Sequence, residues 1–365
     1  MSEQRWLIRR VTRRDVVKAG GAAGLGVAGL GLAGLGARGL GASAKGVSAR
    51  QDGKYTIAFI QGVVGDNFYI TMDCGARAKA AELGVTIETQ GPARFEAPLQ
   101  TPILNAVVQT KPDAIMMAPN DSQAMIAPIQ AAIDAGVPVF CVDTTINSDI
   151  QLADVATDNI EGGRLAARGL AEAIGNTGKV FVVNVKPGIS TTDLREQGFA
   201  EAIAEFPDIE YLGQEYCDDD PTIATRITNA RLQADPDLAG IFGTNLFAAQ
   251  GAAAAVRESG KQGVLKIVGF DAGPVQVQDL RSEVVDILIA QHPGEIGEIA
   301  VQLIYDYLES GQEPEQQELV TGSSVVTREN IDDPIIAGYL YLADCADYTL
   351  SNATPTAAAP ATPAP

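Results

Sequence analysis

Residues 112–143 read PDAIMMAPNDSQAMIAPIQAAIDAGVPVFCVD, and residues 236–271 read PDLAGIFGTNLFAAQGAAAAVRESGKQGVLKIVGFD. Each stretch opens on Pro-Asp and runs into a short apolar segment. Each then passes a polar loop at Asn120 or Asn245 and continues through a helical stretch to Ala135-Gly136 or Ser259-Gly260. Each closes on a second apolar run that stops at an acid, Asp143 or Asp271. The intervals from Asp113 to Asp143 and from Asp237 to Asp271 are 30 and 34 residues. Two copies of one pattern, in the same order, predict two similar α/β domains.

Working outward, Lys54 to about Val326 alternates β-rich runs with helical ones. Strands are expected at Tyr55–Ile60, Val85–Thr89, Ala114–Met117, Val137–Val142, Lys179–Val185, Ile209–Glu215, Gly240–Phe242, Lys266–Phe270 and Val285–Ile289. Most are continuous apolar runs, the pattern of parallel strands buried on both faces. Between the first two, Met72, Ala76, Ala80 and Leu83 share one helical face, and Gly84 ends the helix. Strand–helix–strand repetition places helices over a parallel sheet. In open sheets of this kind ligands bind beyond the carboxyl ends of the strands. The side chains expected there are Asp66, Asn120, Asp143, Asn245 and Asp271. Each is also a good helix cap, but matching acids in two halves favour a shared cleft.

Both ends of the chain have a different composition. Thr12-Arg13-Arg14-Asp15-Val16-Val17-Lys18 leads into a glycine-rich apolar run and then Ala42-Ser43-Ala44, a small-residue cleavage pattern. Residues 1–44 therefore read as a secretory signal, and the paired arginines resemble one of the twin-arginine type. Cleavage after Ala44 leaves a mature protein beginning at Lys45, expected to be periplasmic or extracellular. Residues 351–365 are mostly Ala, Pro and Thr without charge, and are expected to form a disordered tail.

Charge narrows the function classes. The chain carries 26 Lys plus Arg and 46 Asp plus Glu, and the signal holds seven of those bases and two of those acids. The mature part thus sets 19 bases (26 less 7) against 44 acids (46 less 2). That balance argues against a nucleic-acid partner, which needs clustered Lys and Arg. The acid run at Asp218-Asp219-Asp220 lacks the spaced oxygens and the glycine of a calcium loop, and Asp220 before Pro221 reads as a helix start. His292 is the one histidine of the chain, so no zinc site is expected. No Ser/His/Asp or Cys/His grouping and no phosphate-binding glycine loop stands out. The sequence assigns no catalytic residue, metal or cofactor. Cys74 and Cys141 read as packed thiols, whereas Cys217 and Cys345 lie in less regular segments, free to pair in an oxidising compartment.

From Lys54 to Asn330 the chain resembles the periplasmic sugar-binding proteins of the ribose-binding type, which feed ABC importers. The residues that carry the resemblance are Asp66-Asn67-Phe68-Tyr69, Pro112-Asp113-Ala114-Ile115, Asp158-Asn159, Arg195 through Gly198-Phe199, Val268-Gly269-Phe270-Asp271 and Ala290-Gln291. The resemblance implies the type I periplasmic binding fold: two Rossmann-like α/β domains with parallel sheets, joined by a three-segment hinge near Thr157, His292 and Ser323–Val325. The lobes are then residues 54–157 plus 293–323 and residues 158–291 plus 324–345. It further implies an aromatic platform of Phe68 and Tyr69, strand-end acids Asp143 and Asp271, a guanidinium from Arg195 and amides from Asn245 and Gln291. Arg195 is expected both to donate to the ligand and to balance Asp143 or Asp271.

Four positions depart from the ribose-binding pattern. Thr144 stands where an Arg follows the first strand-end acid, Ala118 stands at an Asn position, Asp66 replaces an Asn, and Asp219 falls near a cleft Phe. Losing a base and an aromatic while gaining acids sets ribose itself in question and leaves a neutral sugar or polyol. The implied protein is a monomer that delivers such a ligand to a membrane permease and ATPase. The rival readings are a receptor signalling to a membrane sensor, a lactose-repressor-type regulator and an exported enzyme. The regulator needs a helix-turn-helix ahead of Lys54, where this chain has its glycine-rich segment.

Overall fold

A computed structural model describes residues 53–351 and the pair Thr356–Ala357. The expected signal over residues 1–44 and most of the 351–365 tail lie outside the described residues.

The chain begins with β1 (Thr56–Ile60), α1 (Asn67–Leu83), β2 (Thr86–Gln90), α2 (Ala97–Thr110), β3 (Ala114–Met117), α3 (Ile126–Asp134), β4 (Val139–Val142) and β5 (Asp154–Thr157). It continues through α4 (Asn159–Ala173), β6 (Gly178–Asn184), α5 (Ser190–Ile203), β7 (Ile209–Tyr216), α6 (Pro221–Ala234), β8 (Leu238–Gly243), α7 (Leu246–Ser259), β9 (Lys266–Phe270), α8 (Pro274–Arg281) and β10 (Ile287–Gln291). Then follow α9 (Pro293–Ser310), β11 (Glu318–Thr321), β12 (Ser323–Val326), α10 (Pro334–Ala337) and β13 (Thr356–Ala357).

These strands form two sheets, in the orders β13-β11-β5-β4-β3-β1-β2 and β12-β10-β9-β8-β6-β7. All pairings are parallel except β13 on β11 and β12 on β10, each antiparallel at an edge. The repeated stretches thus become β3-α3-β4 and β8-α7-β9, one in each sheet. The central strands are apolar and wholly buried: β3 and β4 have no residue exposed, and Phe181, Phe242 and Phe270 are completely covered in the second sheet. Each strand therefore needs helices on both faces, which the intervening helical segments supply.

The chain passes between the sheets three times, from β5 to α4, from β10 to α9, and from β11 through Gly322 to β12. The crossover helix α9 lies on α1 at close range. A Cβ on Gly75 would meet the Gly294 carbonyl oxygen at 2.1 Å, and one on Gly297 would meet the Met72 carbonyl oxygen at 2.2 Å. Glycine at these positions is what lets the two backbones touch. Met72, Ala76 and Ala80 fill the buried face of α1, with Leu83 at its edge, as the spacing predicts.

Three expectations need correction. β5, β11 and β12 were absent from the strands expected in the sequence. They are short and half-polar, each with at least two residues short of full burial, and they sit where the chain changes sheets. β13, also absent there, pairs antiparallel with β11 inside the segment expected to be a disordered tail. The cysteine pairing also differs: Cys74 is bonded to Cys345, with Cα atoms 5.1 Å apart and a sequence separation of 271. Cys217 is instead a fully buried free thiol, its pKa pushed up to about 12 by burial, and Cys141 is buried and free as expected. A helix thiol on α1 reads as packed until the chain end that folds over it is known.

Candidate ligand-binding site

At the carboxyl ends of the strands the two sheets meet around a cavity with about 410 Å³ of non-atom space, its open mouth included. Asp66, Phe68, Tyr69, Asp143, Arg195, Asp219, Asn245, Asp271 and Gln291 all line it. Asp66 follows β1 and caps α1, accepting the Phe68 N–H at 2.8 Å. Phe68 and Tyr69 open α1 and pack edge to face, with centroids 5.1 Å apart. Asp143 and Asp271 follow β4 and β9 and occupy equivalent places in the two sheets. Both have left-handed backbones, with φ of 64° and 77°. Asp tolerates that region better than most residues, and the turn aims each carboxylate off the strand end.

The hydrogen bonds to the four carboxylates come from neutral donors. Tyr69 Oη donates to Asp143 at 2.7 Å, and the Asn245 amide donates to Asp219 at 2.7 Å. Asp271 accepts from Gln291 Nε2 at 2.6 Å, from Tyr341 Oη at 2.8 Å and from the Leu246 N–H at 2.8 Å. Among the described residues none of the four forms an ion pair. Arg195 is correspondingly not bonded to either strand-end acid. Its Nε donates to Asn159 Oδ1 and its Nη1 to the Thr244 carbonyl oxygen, both at 2.9 Å, while its guanidinium lies 3.8 Å over the Phe270 ring.

Burial and mutual repulsion show in the proton affinities. Burial, with the neighbouring Asp271 charge, pushes the Asp66 carboxyl well above the usual range. Asp143 is raised to about 6 by burial, with the Arg195 charge and the Tyr69 hydrogen bond pulling it back. Asp219 is raised to about 7 by burial, opposed by its bond from Asn245 and by the charge of Lys186.

Residues 57–313 match the family described as periplasmic binding protein domain. The chain belongs to that family. The binding protein is similar to an ABC transporter solute-binding protein from Agrobacterium vitis solved with α-D-tagatopyranose, at 43% identity and a TM-score of 0.77, over 79% of this chain and 100% of that one. A second Agrobacterium vitis solute-binding protein, solved with D-fucose, is 30% identical with a TM-score of 0.74, over 78% of this chain and 100% of that one. Among curated relatives, the ribose import binding protein of Bacillus subtilis is 27% identical over 70% of this chain and 82% of its own length.

Two residues expected near the cleft lie behind it. Thr144 is buried without lining the cavity: its N–H turns back to the Val142 carbonyl at 2.7 Å, and its hydroxyl has no hydrogen-bond partner. Asn120 is fully buried, and its amide donates to the Gly62 carbonyl at 2.9 Å, holding the loop that follows β1. Five further residues line the cavity: Phe95, Val185, Ile189, Thr191 and Thr192. Thr191 and Thr192 sit four and three positions before Arg195 on α5, so helical spacing puts them on its face. Phe95 comes from a loop with no periodic signal.

The pKa values have a testable consequence. With Asp143 near 6 and Asp219 near 7 in the folded state, against about 3.9 in an unfolded chain, the folded protein binds more protons from about pH 4 to 7. Their contribution to stability therefore rises as pH falls from 8 to 5. Thermal unfolding of the ligand-free protein is expected to show a higher Tm at pH 5.5 than at pH 8, and Asp143→Asn with Asp219→Asn to shrink that difference. An identical pH dependence in the double variant would contradict the assignment.

Proposed function

We propose that this chain is the exported solute-binding component of an ABC importer, and that it closes around a neutral monosaccharide or polyol and presents it to a membrane permease and ATPase. The observation that carries the reading is the composition of the cavity: four carboxylates bonded only to neutral donors, one buried guanidinium, and the rings of Phe68, Tyr69 and Phe95. Sugar rings present apolar C–H faces that pack on aromatic rings. Their hydroxyls donate to carboxylates and accept from amides and guanidinium. Arg195 uses Nε and Nη1 within the protein, which leaves Nη2 for such a hydroxyl.

An anionic ligand fits poorly. Like charges at 4 Å repel by about 4 kcal/mol at an effective dielectric of 20, and this cleft offers one base against four acids. An amino sugar is the second choice, because surplus acids favour a cation. Similarity to proteins solved with tagatose and fucose supports the neutral class. Titration calorimetry against neutral, amino and acidic sugars is expected to give micromolar or tighter binding for a neutral hexose, pentose or polyol. Tight binding of a sugar acid or sugar phosphate, with neutral compounds silent, would contradict the reading.

In this reading the lobes are residues 54–157 plus 293–323 and residues 158–291 plus 324–345, moving about the three crossings as a monomer. Export through residues 1–44 completes it. The exported protein is expected to begin at Lys45, and Arg13→Lys with Arg14→Lys to block export. N-terminal sequencing that found Met1 on exported protein would refute that signal.

A further inference from the structure

The segment over residues 338–351 follows the last strand of the second sheet, yet it ends on the first. Tyr339 stacks on His292 at the second crossing, with ring centroids 3.5 Å apart. The Tyr341 N–H donates to the Ala272 carbonyl oxygen at 3.0 Å, in the loop after β9. The very next residue is bonded to α1: Asn67 Nδ2 donates to the Leu342 carbonyl at 2.9 Å, and the Leu342 N–H donates to Thr71 Oγ1 at 2.8 Å. Cys345 is then joined to Cys74 of α1, and Tyr348 Oη donates to Glu298 of α9 at 2.6 Å. Besides the three crossings of the chain, this is a fourth connection between the lobes, and a covalent one.

Tyr341 brings this connection into the ligand site. Its hydroxyl donates to Asp271 Oδ1 at 2.8 Å and accepts the Gln291 N–H at 3.1 Å, so one oxygen joins two cavity residues. It is 4% exposed, and its ring meets Phe68 edge to face at 5.9 Å. The first lobe solves the same problem internally. Asp143, the counterpart of Asp271, takes its tyrosine hydroxyl from Tyr69 on α1. Asp271 takes its tyrosine hydroxyl from no helix beside the second sheet but from the C-terminal segment.

We infer that Tyr341 is a positioning residue of the ligand site, and that the disulfide-anchored segment carrying it holds Asp271 in its binding orientation before ligand arrives. This rests on the reading of the cavity as a ligand site. Four residue steps lead from Tyr341 to Cys345 and span at most about 14 Å. The segment starts beside the crossings, where opening of the cleft moves the lobes least, so Tyr341 stays on Asp271 in the open form. Binding then avoids the cost of ordering that carboxylate.

The test uses the full mature chain with Tyr341→Phe, which keeps the ring against Phe68 and removes only the hydroxyl, and with Cys74→Ser/Cys345→Ser, which keeps Tyr341 and releases its anchor. In ligand-free protein, amide hydrogen exchange at Leu246 and Gln291 is expected to be about tenfold faster in both variants. Calorimetry with the sugar that wild type binds best is expected to show about tenfold or greater loss of affinity in Tyr341→Phe. A role in packing alone predicts that Tyr341→Phe matches wild type in both measurements, and that result would overturn the inference. Wild type that binds no sugar would overturn the proposed function instead, and the exchange rates would still decide the role of Tyr341.

Discussion

Four carboxylates share one cleft with a single guanidinium, and that guanidinium is bonded elsewhere. Removing a charge from water without an ion partner is costly unless hydrogen bonds satisfy it. The fold answers with neutral donors placed one by one: a tyrosine hydroxyl on Asp143, an amide on Asp219, and an amide, a hydroxyl and a helix N-terminal N–H on Asp271. Satisfaction is incomplete, because Asp143 and Asp219 still hold their protons to about 6 and 7. A site with unspent acceptor capacity and no spare cation is suited to a ligand that brings hydroxyl donors without charge.

The architecture follows from that need. Parallel strands bring their carboxyl ends to one edge of each sheet, and the two edges face each other across the cavity. A left-handed turn at Asp143 and at Asp271 sends each acid off its strand end. Helices starting just beyond the strands offer unpaired N–H groups to Asp66 and Asp271. Arg195 keeps its place through Asn159 and Thr244 and through the face of Phe270, so its position does not depend on the acids it faces.

Most of this was legible in the sequence for a physical reason. Strands buried on both faces must be apolar throughout, so the doubled pattern around Asp143 and Asp271 pointed to two parallel sheets and to the strand ends that line the cavity. What escaped notice lacks that signature. β5, β11 and β12 are half-polar because they lie at the crossings, partly open to solvent. Thr191 and Thr192 were within reach, one helical turn before Arg195. The Cys74–Cys345 bond and the hydroxyl of Tyr341 were not, since both depend on a non-repeating segment returning across 271 residues in one case and 70 in the other. Thr144 directly follows a site acid, yet the turn that presents Asp143 buries its neighbour.

If neutral hydroxyls complete the unfinished hydrogen bonding of these acids, ligand must stabilise their ionised forms and lower their pKa. The direct measurement is an NMR titration of the Asp143 and Asp219 carboxyl carbons, with and without a saturating neutral sugar. The account predicts midpoints near 6 and 7 in the free protein, both falling by about one pH unit or more when the sugar is bound. Midpoints that stay in place or rise at saturation would contradict it.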